Sequence, residues 1–299
     1  MTAIRPIAEK LGFPEEAIAH LEECYKKMMA TPGVPDALFE AEELIFTRHD
    51  KSFTAALAPI YEACDVHRYS ADMVFLLLCA RPLRYVYEKA GYSEELYVET
   101  VRDLLFKLLE CRDVYGIWGT FVTEWFDKFY TCRRFKLGRM QFETRPYPCE
   151  EPFRHIYKKG DTVVGCHIPS CGPLTYESVI DSLKRAYEFY PEHRVGGVLP
   201  VYCHSWLMYP PYAGRVFPEG SNMCRFLKAF ELVRVEKDEK FPDFFRIFNC
   251  EYDPAALADM PEDTGLRRRM KQFLTEGNPM GSGFGFILFD GEKILTEQI

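Results

Sequence analysis

Three signatures are missing from this chain. None of its 11 cysteines forms a Cys-x-x-Cys pair, no Gly-x-Ser-x-Gly elbow occurs, and no glycine-rich loop leads out of a strand into a helix. The first absence removes the commonest zinc frameworks, the second the serine elbow of the α/β-hydrolases, and the third the phosphate cradle of nucleotide-binding folds. Gly281-Ser282-Gly283-Phe284-Gly285 has the composition of such a cradle, but it leads into a strand, the reverse of what a phosphate loop needs. Long apolar runs are also missing. The longest, Met73 to Ala80, is shut in by Asp72 and Arg81 and falls far short of the ~20 residues that cross a bilayer. There is no internal repeat, no low-complexity tract and no long polar linker.

Positive charge is in deficit. With 37 Lys and Arg against 45 Asp and Glu the net charge is -8, so the field of the whole molecule repels phosphate backbones and anionic lipid heads. Neither nucleic acid nor a membrane surface is expected as a partner. No basic-then-apolar start precedes Ile4-Arg5-Pro6, and an odd number of cysteines in a chain too long to need disulfide staples points to a reduced cytoplasm. At 299 residues, 47% hydrophobic and 27% charged, the composition is that of an ordinary globular protein of two domains.

The hydrophobic period divides the chain. From Pro14, the residues Ile18, Leu21, Tyr25, Met28 and Met29 recur at helical spacing, and the pattern stops at Thr31-Pro32-Gly33. Further helices are expected over 36–49 and 53–67, then from a Ser70 cap to a kink or break at Pro82, then from a Ser93 cap through Leu108, and over Phe121 to Phe129. No strand is expected before about Tyr130. Beyond it, Gly138, Met140 and Phe142 alternate with Arg139, Gln141 and Glu143, the pattern of a half-buried strand. Strands are expected at 153–157, 162–168, 198–205, 231–236 and 244–248, with a closing hairpin of 284–289 and Asp290-Gly291. Helices are expected from a Thr175 cap to Pro191, over 222–230 and over 262–276. The boundaries follow as a helical domain over 1–130 and a mixed α/β domain over 131–299.

Polar groups gather where strand ends meet helix starts. Cys166-His167 and Cys203-His204 offer soft zinc ligands, but neighbours on a strand point to opposite faces, so no metal site is expected. His204 lies at a strand end with Val198, Pro200 and Tyr202 on its own face, where a general base could stand; a structural histidine is the alternative. Ser221-Asn222, after Gly220, opens a helix whose free N–H groups suit an anion, with simple capping as the alternative. Arg267-Arg268-Arg269 reads as a solvated helix face. A ligand pocket is therefore expected between the ends of strands 162–168 and 198–205 and the Ser221 helix start. Trp206, Tyr209 and Phe217 would form its apolar wall, and plain core is the alternative for them.

Four stretches carry a resemblance: Leu137-Gly138-Arg139-Met140-Gln141-Phe142; His167-Ile168-Pro169 with Gly172-Pro173-Leu174; Cys203 with Ser205-Trp206-Leu207; and Ser221-Asn222 with Arg225-Phe226. In this order and spacing the chain resembles, over nearly its whole length, a bacterial acyltransferase-domain family. That family has a helical N-acyltransferase N-terminal domain and a C-terminal domain of Gcn5-related N-acetyltransferase-like (GNAT-like) fold. The resemblance implies an α+β protein, an all-helical N-terminal domain followed by a mixed, largely antiparallel GNAT-like α/β domain. It further implies acyl transfer from an acyl-CoA cosubstrate, with no tightly bound cofactor, to a small-molecule amine. On that reading His204 and His167 are the catalytic candidates, Ser221, Asn222 and Arg225 bind the cosubstrate, and Trp206, Tyr209 and Ser205 contact substrate. Two departures stand out. Met208-Tyr209-Pro210 replaces the family's Leu-Asp-Pro, and the Arg or Gln-x-x-Gly-x-Gly or Ala turn that holds pyrophosphate in GNAT enzymes is absent. A non-enzymatic binding module on the same frame is the second reading.

Overall fold

The structure is a computed structural model that describes residues 2–48, 51–238 and 242–297. Two compact units divide the chain, Met1–Lys136 and Leu137–Ile299.

The described part of the first unit is built from helices α1 (Arg5–Leu11), α2 (Glu15–Ala30), α3 (Val34–Thr47), α4 (Phe53–Ala63), α5 (Arg68–Lys89), α6 (Glu94–Val101), α7 (Asp103–Tyr115) and α8 (Asp127–Tyr130). His49, the expected end of the second helix, lies outside the described residues. Ser93 caps α6 as its position suggests, its Oγ accepting from Leu96 N. Three expectations are corrected here. Ser70 does not open a helix: α5 starts behind His67, and Ser70 Oγ instead donates to Trp118 O inside the bundle. Pro82 does not end α5 either, because Leu76, Leu77, Cys79, Ala80 and Leu83 are buried around it, and packing on all sides outweighs one lost backbone hydrogen bond. Finally, Phe121 to Phe129 is no single helix but a 3-10 turn at Thr123–Phe126 running into the one-turn α8.

The second unit holds α9 (Tyr176–Phe189), α10 (Asn222–Lys228), α11 (Phe245–Phe248) and α12 (Gly265–Thr275). Its strands are β2 (Met140–Pro146), β3 (Thr162–His167), β4 (Leu199–Ser205), β5 (Glu231–Asp238) and β6 (Met280–Phe289), preceded by β1 (Arg134–Leu137), in which the first unit ends. The sheet order is β1-β2-β3-β4-β6-β5. The pairings β2–β3, β4–β6 and β5–β6 are antiparallel, and β3–β4 is parallel. Mixed α+β architecture with a helical beginning and a mostly antiparallel sheet is thus what the chain adopts.

The differences from the sequence reading have local causes. Gly138 belongs to the turn between β1 and β2, with φ 71°, and not to a strand. Residues 153–157 make no strand: Phe153 N donates to Tyr157 O across a tight turn, and both rings stack on Phe286. The antiparallel partner of β3 is therefore β2. Residues 245–248 form a helical turn ended by left-handed Asn249, since the pattern Phe-Phe-Arg-Ile-Phe suits either period. After β6 the chain turns at Asp290, whose Oδ1 accepts from Glu292 N and Lys293 N, and returns only as a bridge between Phe289 and Ile294.

Candidate active site

The parallel ladder between β3 and β4 is two residues long. It pairs Val164 with Val201 and Gly165 with Tyr202, and there it stops. Beyond that point Cys166-His167 and Cys203-His204-Ser205 continue on two strands with no further ladder pairing, while the Cys166 and Cys203 thiols still meet on the opposite face. Each keeps its outer partner, because β3 stays on β2 through Gln141↔His167 and β4 stays on β6 through Ser205↔Gly283. The sheet is thus open at the carboxyl ends of its parallel pair, the place where such sheets take ligands.

Strand alternation assigns the faces. One face carries Gln141, Glu143 and Arg145 of β2, Gly165 and His167 of β3, Tyr202 and His204 of β4, Ser282 and Phe284 of β6, and Arg234 of β5. Next to this row the same face is sealed by an aromatic cluster of Tyr147, Phe153, Tyr202 and Phe286. The opposite face carries Cys166 and Cys203 and lies under α9, whose Tyr187 meets Phe289 edge-on and whose Ser182 Oγ accepts from Arg139 N and Met140 N.

His167 stands on one side of the opening. Its Nε2 is 3.2 Å from Glu143 Oε1, and the same carboxylate oxygen is 3.8 Å from Arg145 Nη1. The Glu143 side chain is fully buried. Space for the Arg145 stem exists because residue 165 is glycine: a Cβ there would meet Arg145 Cδ at 3.1 Å. A buried carboxylate this close to an imidazole can stabilise the ring when it takes a proton.

His204 stands on the other side. Its ring lies flat on Phe284, centroids 3.7 Å apart and planes 10° apart, and the guanidinium of Arg234 covers the same Phe284 ring at 4.1 Å. His204 Nε2 is 3.0 Å from Ser282 Oγ. Although His204 as a whole is exposed, the ring face against Phe284 is shielded from water, which pushes its pKa below the ordinary 6.5, so the ring is neutral at neutral pH. The positions register as a row across five strands, Gln141, His167, His204, Phe284 and Arg234, broken only between the two histidines.

Glycine shapes the wall behind the opening. A Cβ on Gly281 would meet the Tyr209 ring at 2.4 Å, and one on Gly283 would meet Met208 O at 2.4 Å. The segment after β4 therefore lies directly on the backbone of β6. Tyr209 is buried there, while Trp206 is half-buried and meets Tyr212 and Phe217 at 6.2 and 6.0 Å. Ser205 Oγ accepts from Leu207 N and closes the turn at Trp206.

Two helices begin near this end. Thr175 caps α9 by accepting from Ser178 N, and Ser221 caps α10 by accepting from Cys224 N; Asn222 is the first residue of α10. Arg225 lies over the Tyr176 ring at 3.3 Å and donates to Glu297 Oε1, which sets α10 against the first turn of α9. The loop from β3 to α9 is held from one side. Arg139 donates to Pro169 O, Gly172 O and Pro173 O at 2.7, 2.9 and 3.2 Å, fixing three carbonyls with one guanidinium.

Glu143, Arg145, Gln141 and Arg139 were not among the site residues expected from the sequence. Their signal was present, since they form the polar alternation of β2 and the turn before it. It reads as a solvent face, whereas Gln141 and Glu143 are 0% exposed. Of the Arg267-Arg268-Arg269 run, Arg268 is exposed as the sequence suggests, while Arg267 and Arg269 are half-buried and donate to the backbone carbonyls of Ile247 and Val216.

The architecture is a helical unit followed by a mostly antiparallel sheet that holds one parallel strand pair, with an imidazole on each of those two strands. The family description "GNAT-like C-terminal domain" matches residues 134–287, and "N-acyltransferase N-terminal domain" matches residues 2–132. The chain belongs to the GNAT-like C-terminal domain family. No curated protein matches it in sequence. Among solved structures it is similar to an acyltransferase in complex with decanoyl-CoA and teicoplanin, at TM-score 0.72 and 19% identity over 95% of this chain and 87% of that one. An acyltransferase in complex with CoA and 10C-teicoplanin gives 0.70 and 19% over 94% and 86%, and one with decanoyl-CoA gives 0.66 and 22% over 97% and 100%. At these identities the likeness establishes the fold.

Proposed function

We propose that this protein is an N-acyltransferase that moves an acyl group from an acyl-CoA to the amine of a small molecule. The observation that carries the reading is the gap between β3 and β4. The β3–β4 ladder ends at Gly165 and Tyr202, and an extended ligand bearing amides, such as the pantetheine arm of coenzyme A, can bond along a strand edge as an added strand does. Family membership and the acyl-CoA ligands of the similar acyltransferases support the same choice.

In this mechanism the thioester lies in the gap and the amine approaches from the His167 and His204 side. The amine lone pair attacks the thioester carbonyl carbon. One N–H proton passes to His167, which Glu143 orients, or to neutral His204; the tetrahedral intermediate then expels the thiolate of coenzyme A, which takes up the proton, leaving an amide and a thiol. Backbone N–H groups at the open edge would hold the developing oxyanion. Ser221, Asn222 and Arg225, set against the start of α9, would hold the phosphates, and Trp206 with Tyr209 and Ser205 would border the acyl or acceptor side. We further place the protein in the cytoplasm, on its cysteine usage. No helix among the described residues is long and apolar enough to cross a membrane.

Purified full chain is titrated calorimetrically with coenzyme A and octanoyl-CoA, then incubated with octanoyl-CoA and a panel of primary amines. Products are read by mass spectrometry, because the 11 cysteines would confound a thiol-release assay. Saturable binding with amide formation is expected. A folded protein that binds neither thioester nor coenzyme A would overturn the reading.

A further inference from the structure

The first unit contains a cavity of about 620 Å³ that the acyl-transfer reading does not use. Its lining includes Tyr61 of α4, Arg68 and Asp72 of α5, and Phe121, Thr123 and Trp125 of the segment before α8. The size is that of a small-molecule site, and the lining sets aromatic rings beside charged groups.

Asp72 is the unusual member. It is 7% exposed on a helix whose neighbouring residues Ala71, Met73, Val74 and Phe75 are all buried and apolar. Its Oδ1 accepts from Tyr61 Oη and its Oδ2 from Thr123 Oγ1. Tying three segments together would require only a neutral acceptor such as an amide oxygen, whereas a carboxylate brings a charge into an apolar setting, and burial works against that charge. A carboxylate offers about four lone-pair sites, so two hydroxyl donors leave capacity for a cation. Aromatic faces beside a carboxylate are the usual surroundings of a bound ammonium. One turn earlier on the same helix, exposed Arg68 presents a positive charge near the positive end of α5, which suits an anionic group.

We propose that this cavity binds a zwitterionic aromatic amino compound of the α-amino-acid type, its ammonium on Asp72, its carboxylate toward Arg68, and its ring among Tyr61, Phe121 and Trp125. This site is independent of the acyl-transfer reading and needs no acyl-CoA.

Full-length protein is titrated with L-phenylalanine, with phenethylamine, which lacks the carboxylate, and with 3-phenylpropionate, which lacks the ammonium. Saturable binding of L-phenylalanine is expected, at least about tenfold tighter than either analogue, the loss per charged hydrogen bond. Asp72→Asn should weaken L-phenylalanine about tenfold and leave 3-phenylpropionate unchanged. Arg68→Gln, at an exposed position, should weaken L-phenylalanine and leave phenethylamine unchanged. Absence of saturable L-phenylalanine binding by folded wild type, or equal affinity for all three compounds, overturns the proposal. If Asp72→Asn fails to fold, the wild-type ranking together with Arg68→Gln decides it.

Discussion

Glu143 Oε1 and His167 Nε2 lie 3.2 Å apart, on adjacent strands, with the carboxylate fully buried and the imidazole at the mouth of the opened sheet. One group is held and the other is presented. The pair joins a residue legible as a candidate in sequence to one that was not, and it makes Glu143 a positioning residue for the proposed base.

Glu143→Gln should therefore lower kcat for amine acylation by about a hundredfold while the KM for acyl-CoA stays unchanged, the size of a general-base contribution. Glu143→Asp should recover part of the loss, because it keeps the charge. A merely structural role for Glu143 would instead change KM and thermal stability together and show no recovery with Asp.

His204 gives a pH prediction. Its folded pKa lies below 6.5, so the unfolded chain binds the proton more readily than the folded one. The contribution of this group to unfolding free energy should rise with pH from the folded value up to 6.5 and level off above it; below the folded value the cost is fully present. Phe284→Leu should move the midpoint back toward 6.5 by letting water reach the ring. An NMR titration of the imidazole in both proteins checks this, and a wild-type midpoint at or above 6.5 would refute it.

Gly283→Ala should destabilise the protein by at least about 2 kcal/mol, since its Cβ would meet Met208 O at 2.4 Å and neither strand nor turn can move cheaply. Thermal unfolding measures it. Gly160→Ala, where no atom lies within 4 Å but φ is 89°, should cost only about 1 kcal/mol through backbone strain. Equal effects would mean that the chain after β4 does not rest on β6.

Alkylation with iodoacetamide at pH 8 should label the half-buried Cys171 before the buried thiols, whereas burial pushes the Cys132 thiol up to about 11 and raises that of Cys250, so both should react more slowly than their exposure suggests. Cys79 and Cys203 should stay unlabelled until the fold is lost, because burial at Cys79, and at Cys203 the hydrogen bond with the Cys166 thiol followed by burial, push their pKa far up. Peptide mass spectrometry resolves the sites. Early labelling of Cys203 would show that the face under α9 opens in solution.

Local pattern was enough for much of this protein. The helical period of the first part, the Ser93, Thr175 and Ser221 caps, and the strands at 162–167 and 199–205 depend on neighbouring residues along the chain, and these are visible in the sequence. Where one sequence fits two periods, or a helix is held from outside, the pattern misleads. Phe245–Phe248 forms a helical turn, and α5 runs through Pro82 because surrounding side chains, not its own hydrogen bonds, stabilise it.

The candidate site lay mostly beyond that reach. Sequence could place His167 and His204 at strand ends, because that follows from order along the chain. It could not place Glu143 beside His167, since which polar face of β2 is buried depends on what covers it. Nor could it show that the β3–β4 ladder ends after two pairs, or that glycines in β6 admit Tyr209. Register between strands distant in sequence is chosen by side-chain packing across the whole sheet, and only the tertiary structure records that choice.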